Sequence, residues 1–102
     1  MNFTDFYLWL EENTGDLKDI AILKGIENLI EQNNELDPKK RMNDNQIKKM
    51  ANNMWFSSLE MLYNDIKSRI PKDKLKKGYT GWIDYLEEKN IAASFREGFE
   101  SL

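Results

Sequence analysis

The chain contains neither cysteine nor histidine. Without cysteine there is no disulfide framework and no thiolate zinc site, and cysteine usage gives no redox compartment. Without histidine the chain lacks the side chain that titrates closest to neutral pH, the commonest general base and metal ligand. Any catalysis would fall to carboxylates, lysines or tyrosines. No P-loop, Gly-rich dinucleotide turn or nucleophile elbow is present. Asp37, Asp44 and Asn45 lack the alternating oxygen ligands, central glycine and closing glutamate of a calcium loop. The pairs Glu11-Glu12 and Glu87-Glu88 point about a quarter-turn apart on a helix, which makes them solvated surface and not a converging dyad. The expectation is no enzyme, no cofactor and no metal. No run approaches the ~20 apolar residues that span a bilayer, and Met1-Asn2-Phe3-Thr4-Asp5 has no basic n-region and no apolar stretch of signal-peptide length. A cytoplasmic protein without a membrane contact is expected.

What is present is charge, sorted along the chain. Residues 1–38 hold nine acidic and two basic side chains, a net of −7; residues 39–77 hold eleven basic and four acidic, a net of +7; residues 78–102 return to −3. Asymmetry of this kind offers a polar surface to a partner or to the chain's own opposite-charge segment. Twelve lysines against three arginines, with eleven asparagines and nine isoleucines, point to an AT-rich genome, that of a low-GC bacterium or one of its mobile elements. At 102 residues one domain with one core is expected.

Helical periodicity explains nearly every apolar position, and strand alternation with Gly-containing hairpin turns is not sustained anywhere. The pattern predicts an all-α fold, a single compact bundle of four to five helices with a long central third helix. The first helix opens at Thr4 as N-cap, with Phe3 packing on Leu8 as a staple, and stops at Thr14-Gly15. Asp16 caps a second helix that runs to Asn33-Asn34, with Gly25 allowing close approach of a neighbour. Residues 34–43 are the linker candidate, where chain mobility should peak, with Asp37-Pro38 disfavouring helix. The third helix runs from Asn43 or Asp44 to before Pro71. It carries two stripes, one of Ile47, Met50, Met54 and Met61 and one of Ala51, Trp55, Leu59, Leu62 and Ile66, which implies packing on more than one side. Pro71–Lys77 is a basic loop, Thr80 caps a fourth helix and Asn90 separates it from a fifth. The expected core is Ile26, Ile30, Met54, Trp55, Leu62, Ile66, Trp82, Leu86, Phe95 and Phe99.

Two acidic clusters offer a protein-facing surface: Glu11, Glu12, Asp16 and Asp19, and the four-residue series Glu27, Glu31 and Glu35, which lies on one helical face. Tyr79 and Trp82, next to the lysine loop and flanking Gly78 and Gly81, have the composition of a binding anchor. The basic segment, Lys39, Lys40, Arg41, Lys48, Lys49, Lys67, Arg69, Lys72, Lys74, Lys76 and Lys77, could neutralise phosphates. The acidic total and the scarcity of arginine for bidentate base contacts count against that use. The functional expectation is therefore a non-enzymatic protein-binding module, a small acidic regulator or inhibitor of a host protein carried by a phage or mobile element. The alternative is nucleic-acid binding through residues 39–77, with Tyr79 or Trp82 stacking on a base. Self-association is a further expectation, since the −7 and +7 segments complement each other.

The opening Asp5-Phe6-Tyr7-Leu8-Trp9-Leu10 resembles the start of the YozE-like family of sterile-alpha-motif-like helical domains. Ile70-Pro71-Lys72, Ile83-Asp84-Tyr85-Leu86-Glu87 and Phe95-Arg96-Glu97 are similar to that family's closing pieces. Together they cover under half of the chain. Residues 34–66 would be an insertion, and Phe99 stands where the family has tryptophan. The resemblance implies a helical fold and supplies no catalytic residue.

Overall fold

The computed structural model describes residues 1–101, and all regular structure in them is helical. The α-helices are α1 (Phe3–Thr14), α2 (Leu17–Asn34), α3 (Asp44–Arg69), α4 (Lys72–Lys76), α5 (Tyr79–Glu88) and α6 (Ile91–Glu100), with a 3₁₀ turn at Pro38–Lys40. The all-α class and the long central helix follow the periodicity. The addition is α4, expected as a loop, where Pro71 supplies the N-cap and Gly78, at φ 63°, ends the turn.

Local chemistry sets the boundaries. Asn2, not Thr4, caps α1: its Oδ1 accepts the Asp5 amide at 2.8 Å. Leu8 is exposed, so no staple forms, and Phe3 instead packs edge-on against Tyr63 with centroids 5.6 Å apart. α1 ends at Gly15, whose φ of 60° suits a residue without Cβ. Asp16 precedes α2 without capping it. Asn43 and Gln46 cap α3 reciprocally, each side chain accepting the other's backbone amide at 2.9 Å. Gly78 takes the place expected of Thr80 ahead of α5, and Asn90, in the left-handed region, separates α5 from α6.

The body of the molecule gathers around the second half of α3. Phe6, Leu10, Leu17, Leu59 and Leu86 are completely enclosed, with Trp9, Trp55, Ile66, Ile70, Trp82 and Tyr85 around them. Two rings of α3 tie in the other helices. Tyr63 meets Phe3 and Phe6 of α1 and stacks on Trp82 of α5 at 5.4 Å; Trp55 meets Phe95 and Phe99 of α6 at 5.8 and 5.7 Å. Aromatic pairs of this kind contribute about 0.5–1.5 kcal/mol each beyond the area they bury.

Four of the expected core residues, Trp55, Ile66, Trp82 and Leu86, are buried, while Leu62, Phe95 and Phe99 pack partly buried against them. Ile30 and Met54 are corrections, both exposed. Leu29 takes the inward place on α2, which turns Ile30 about 100° away. On α3 the stripe Ala51, Trp55, Leu59 and Ile66 faces inward together with Ile47, and Met50, Met54 and Met61 face solvent.

Beyond the body, α2 and α3 continue as an antiparallel hairpin, here called the arm. Its own cluster is small: Leu29, Ile47 and Ala51 are buried, with Ile22, Ile26 and Met42 packed on them. A Cβ on Gly25 would lie 3.5 Å from the Ala51 Cβ, an ordinary van der Waals distance, so alanine would fit and the approach of the two helices does not depend on glycine there. Buried Asn33 fastens the turn, donating to the Met42 carbonyl at 3.0 Å and accepting the Met42 amide at 2.8 Å. Arg41 donates to the carbonyls of Leu36 and Asn34. The 34–43 segment is thus the tied turn of a hairpin. The arm helps give the molecule extents of 55 × 20 × 18 Å. No aromatic residue stands between Leu10 and Trp55, so every ring belongs to the body. None of the described helices is long and apolar enough to cross a membrane.

Candidate functional site

The two acidic clusters separate according to what they touch. In the first, Lys18 Nζ donates to Tyr7 Oη at 3.2 Å, Tyr7 Oη donates to Glu11 Oε1 at 2.6 Å, and Lys18 lies over the rings of Tyr7 and Phe56. The bond to Tyr7 leads the causes that hold the Lys18 pKa above the ordinary lysine value. Asp16 accepts Arg96 Nη2 at 3.1 Å, and Arg96 also donates to the Thr14 carbonyl and to Glu100. The hydrogen bonds to Glu100 and Asp16 raise the Arg96 pKa. Glu11 and Asp16 are therefore part of the framework that fastens α1, α2 and α6.

The second cluster is different. Glu27 and Glu31 lie on α2, Glu35 is its C-cap, and all three are exposed. Glu31 and Glu35 stand at the carbonyl end of α2, which has no basic residue in its last turn. The helix dipole disfavours negative charge there, a local conflict of the kind that accompanies function. Across the turn stand Lys39, Lys40 and Arg41, with Lys48 and Lys49 on the first turns of α3. Residues 27–49 carry five acidic side chains (Glu27, Glu31, Glu35, Asp37, Asp44) and five basic ones. Among the described residues none of these ten forms an ion pair. The pairs that form among the described residues are Lys18–Glu11, Arg69–Asp65, Lys74–Glu88, Arg96–Asp16 and Arg96–Glu100, and none of these joins the −7 segment to the +7 segment.

Beside these charges runs the outward stripe of α3. Met50, Met54 and Met61 are 41%, 49% and 73% exposed. Met54 borders a pocket of about 100 Å³ between α2, α3 and the end of α6, shared with Gly25, Trp55 and Phe99. The buried Trp55 Nε1 has no hydrogen-bond partner among the described residues. Toward the tip, Met42 and Met50 border a second depression with Gln46, Lys49 and Asn53. Methionine thus borders both hollows along the arm. The stripe is visible in the sequence, but spacing alone cannot say which of two adjoining stripes faces inward.

The remaining basic residues of the 39–77 segment lie at the far end of α3 and on α4 and its C-cap, with Lys67 about 29 Å from Lys48 at 1.5 Å per residue. Residues 39–77 are therefore two patches. At the far patch Arg69 pairs with Asp65 and Lys74 with Glu88, and the hydrogen bond to Glu88 is the main cause raising the Lys74 pKa. Lys67, Lys72, Lys76 and Lys77 make no ion pair among the described residues. Tyr79, two residues past Lys77, is 54% exposed, whereas Trp82 is 3% exposed and stacked on Tyr63. Trp82 is therefore core and unavailable as an anchor or a stacking platform. Comparison of the chain with protein-family models, with curated proteins and with solved structures finds no match.

Proposed function

We propose that this chain is a non-enzymatic protein-docking module and that the arm is its docking surface. The observation that carries the reading is the arm's solvent face: an exposed methionine stripe and ten charged residues that make no ion pair among the described residues. Methionine is flexible and polarisable and suits surfaces that must fit a partner's shape. Apolar side chains gathered on one face mark interaction sites more often than singly scattered ones. Glu27, Glu31 and Glu35 supply the acidic edge through which a small phage or mobile-element protein would regulate or inhibit a host protein, by occupying a basic channel.

The test compares the chain with its Met50→Lys/Met54→Lys variant as immobilised bait for low-GC bacterial lysate, with far-UV circular dichroism to show that the fold is kept. A protein retained by the natural chain and lost from the variant supports the reading. Equal retention by both places docking elsewhere and ends it.

Nucleic-acid binding is the second reading, favoured by exposed Tyr79, two residues past Lys77, and by Lys67, Lys72, Lys76 and Lys77, which make no ion pair among the described residues. Each phosphate contact would contribute about 0.7–0.9 to the salt slope, and Tyr79→Ala would cost about 1–3 kcal/mol if the ring stacks on a base. Gel shifts at low salt with duplex and single-stranded probes decide it; no shift with either removes this reading.

A further inference from the structure

We infer that the occupant of the arm's methionine face is the arm of a second copy of this chain. The inference rests on the docking reading above: in the free protein the face assigned there to docking is taken by a second copy, which a host protein would have to displace. Three observations carry it. The arm buries only three apolar residues between its helices, Leu29, Ile47 and Ala51, a thin core for a projecting hairpin, while Met50 and Met54 stay exposed on one face of α3. A second hairpin laid against the first would turn this two-helix layer into a four-helix arrangement with apolar side chains at its centre.

Charge supplies the second argument. Residues 27–49 balance five acidic against five basic side chains, with Glu27, Glu31 and Glu35 on or at the end of α2, and Lys48 and Lys49 on α3. The surface is thus its own electrostatic complement. An isologous two-fold contact makes each such pairing twice, the acidic edge of one copy meeting the basic edge of the other. Third, none of these charges is neutralised by an ion pair within the described chain, so the complement is available. The acidic residues at the carbonyl end of α2, unfavourable for that helix alone, gain opposite charge in the pair.

The experiment uses the full chain and two charge-reversal variants at exposed positions, Glu27→Lys/Glu31→Lys/Glu35→Lys and Lys39→Glu/Lys48→Glu/Lys49→Glu. Sedimentation from micromolar to millimolar concentration should show the natural chain shifting from monomer to dimer, with the shift weakened by salt. Each variant alone should remain monomeric where the natural chain is a dimer, and an equimolar mixture should recover the dimer mass. A Met54→Cys variant adds an independent reading, because the chain has no other cysteine. Mild oxidation should give a covalent dimer, whereas Ser94→Cys, exposed on α6, should not cross-link.

A natural chain that stays monomeric throughout overturns the inference, as does a dimer indifferent to both charge reversals. These outcomes separate it from the docking reading. A monomer whose lysate capture is still lost in Met50→Lys/Met54→Lys sinks self-association and keeps docking, whereas a monomer with unchanged capture sinks both.

Discussion

Trp55 is buried, yet its indole N–H has no acceptor among the described residues, so its ring and its polar atom pull stability in opposite directions. Trp55→Ala should cost about 3–5 kcal/mol by removing the ring from the core. Trp55→Phe should cost clearly less, because it also removes an orphan donor whose burial costs about 1–3 kcal/mol. Urea denaturation of both variants checks this, and equal losses would mean that the N–H is satisfied. Gly81 presents the opposite case, a position with no room at all. A Cβ there would sit 1.8 Å from the Lys74 carbonyl oxygen, so Gly81→Ala must push α4 off α5 and should cost at least about 1–3 kcal/mol. The burial of Trp55 was legible from its place in an apolar stripe. The constraint on Gly81 was not, because its neighbour belongs to a five-residue helix, Lys72–Lys76, that has no apolar period to reveal it.

Among the longer helices, α6 is held most lightly: like the short α4, it has no fully buried residue. It is secured by Phe95 and Phe99 against Trp55, by Arg96, and by Lys24 donating to the Phe99 carbonyl at 2.8 Å. Arg96→Ala should therefore raise amide exchange in α6 while leaving α2 protected; equal loosening of both helices would refute a local role. At the other side of the body, Lys18 joins α2 to α1. Its pKa is raised in the folded chain, chiefly by the bond to Tyr7, so the folded state favours the protonated form. That contribution is complete below the unfolded lysine value and disappears as pH climbs through the raised one. Stability measured by denaturation should fall along that alkaline range, and Lys18→Met should flatten the part of the decline that Lys18 causes. Most elements were legible: Gly15, Pro71 and Asn90 mark real boundaries, and periodicity finds α1, α2, α3, α5 and α6. The inward stripe of α3 was not, because Met50 and Met54 repeat with the same period as Ala51 and Trp55 and only the packed neighbours distinguish them.

At the scale of the whole molecule, α3 serves two groups of side chains, the aromatic body at Trp55 and Tyr63 and the aliphatic arm at Ile47 and Ala51. The sorting of charge along the chain was plain from the residue order. That its acidic and basic parts share one hairpin without pairing depends on where α2 and α3 lie against each other, which residue order does not specify. The same arrangement divides the basic segment into two patches about 29 Å apart along α3, so only the patch on the arm can enter a contact between arms. Replacing Lys72, Lys76 and Lys77 by glutamine should therefore leave the salt dependence of sedimentation unchanged; a flattened dependence would move the contact from the arm to the α4 corner.

The confinement of every ring to the body has an optical consequence. Tryptophan fluorescence and near-ultraviolet dichroism report on Trp9, Trp55, Trp82 and their neighbours, and are nearly blind to a hairpin that has no chromophore of its own. Far-ultraviolet dichroism sees both parts. If α3 makes the two parts melt as one, the fluorescence and far-ultraviolet transitions coincide. If the hairpin frays first, ellipticity declines while the tryptophans still emit as in the native chain, and the gap between the two curves measures how much of the molecule's order lies where no light is absorbed above the peptide band.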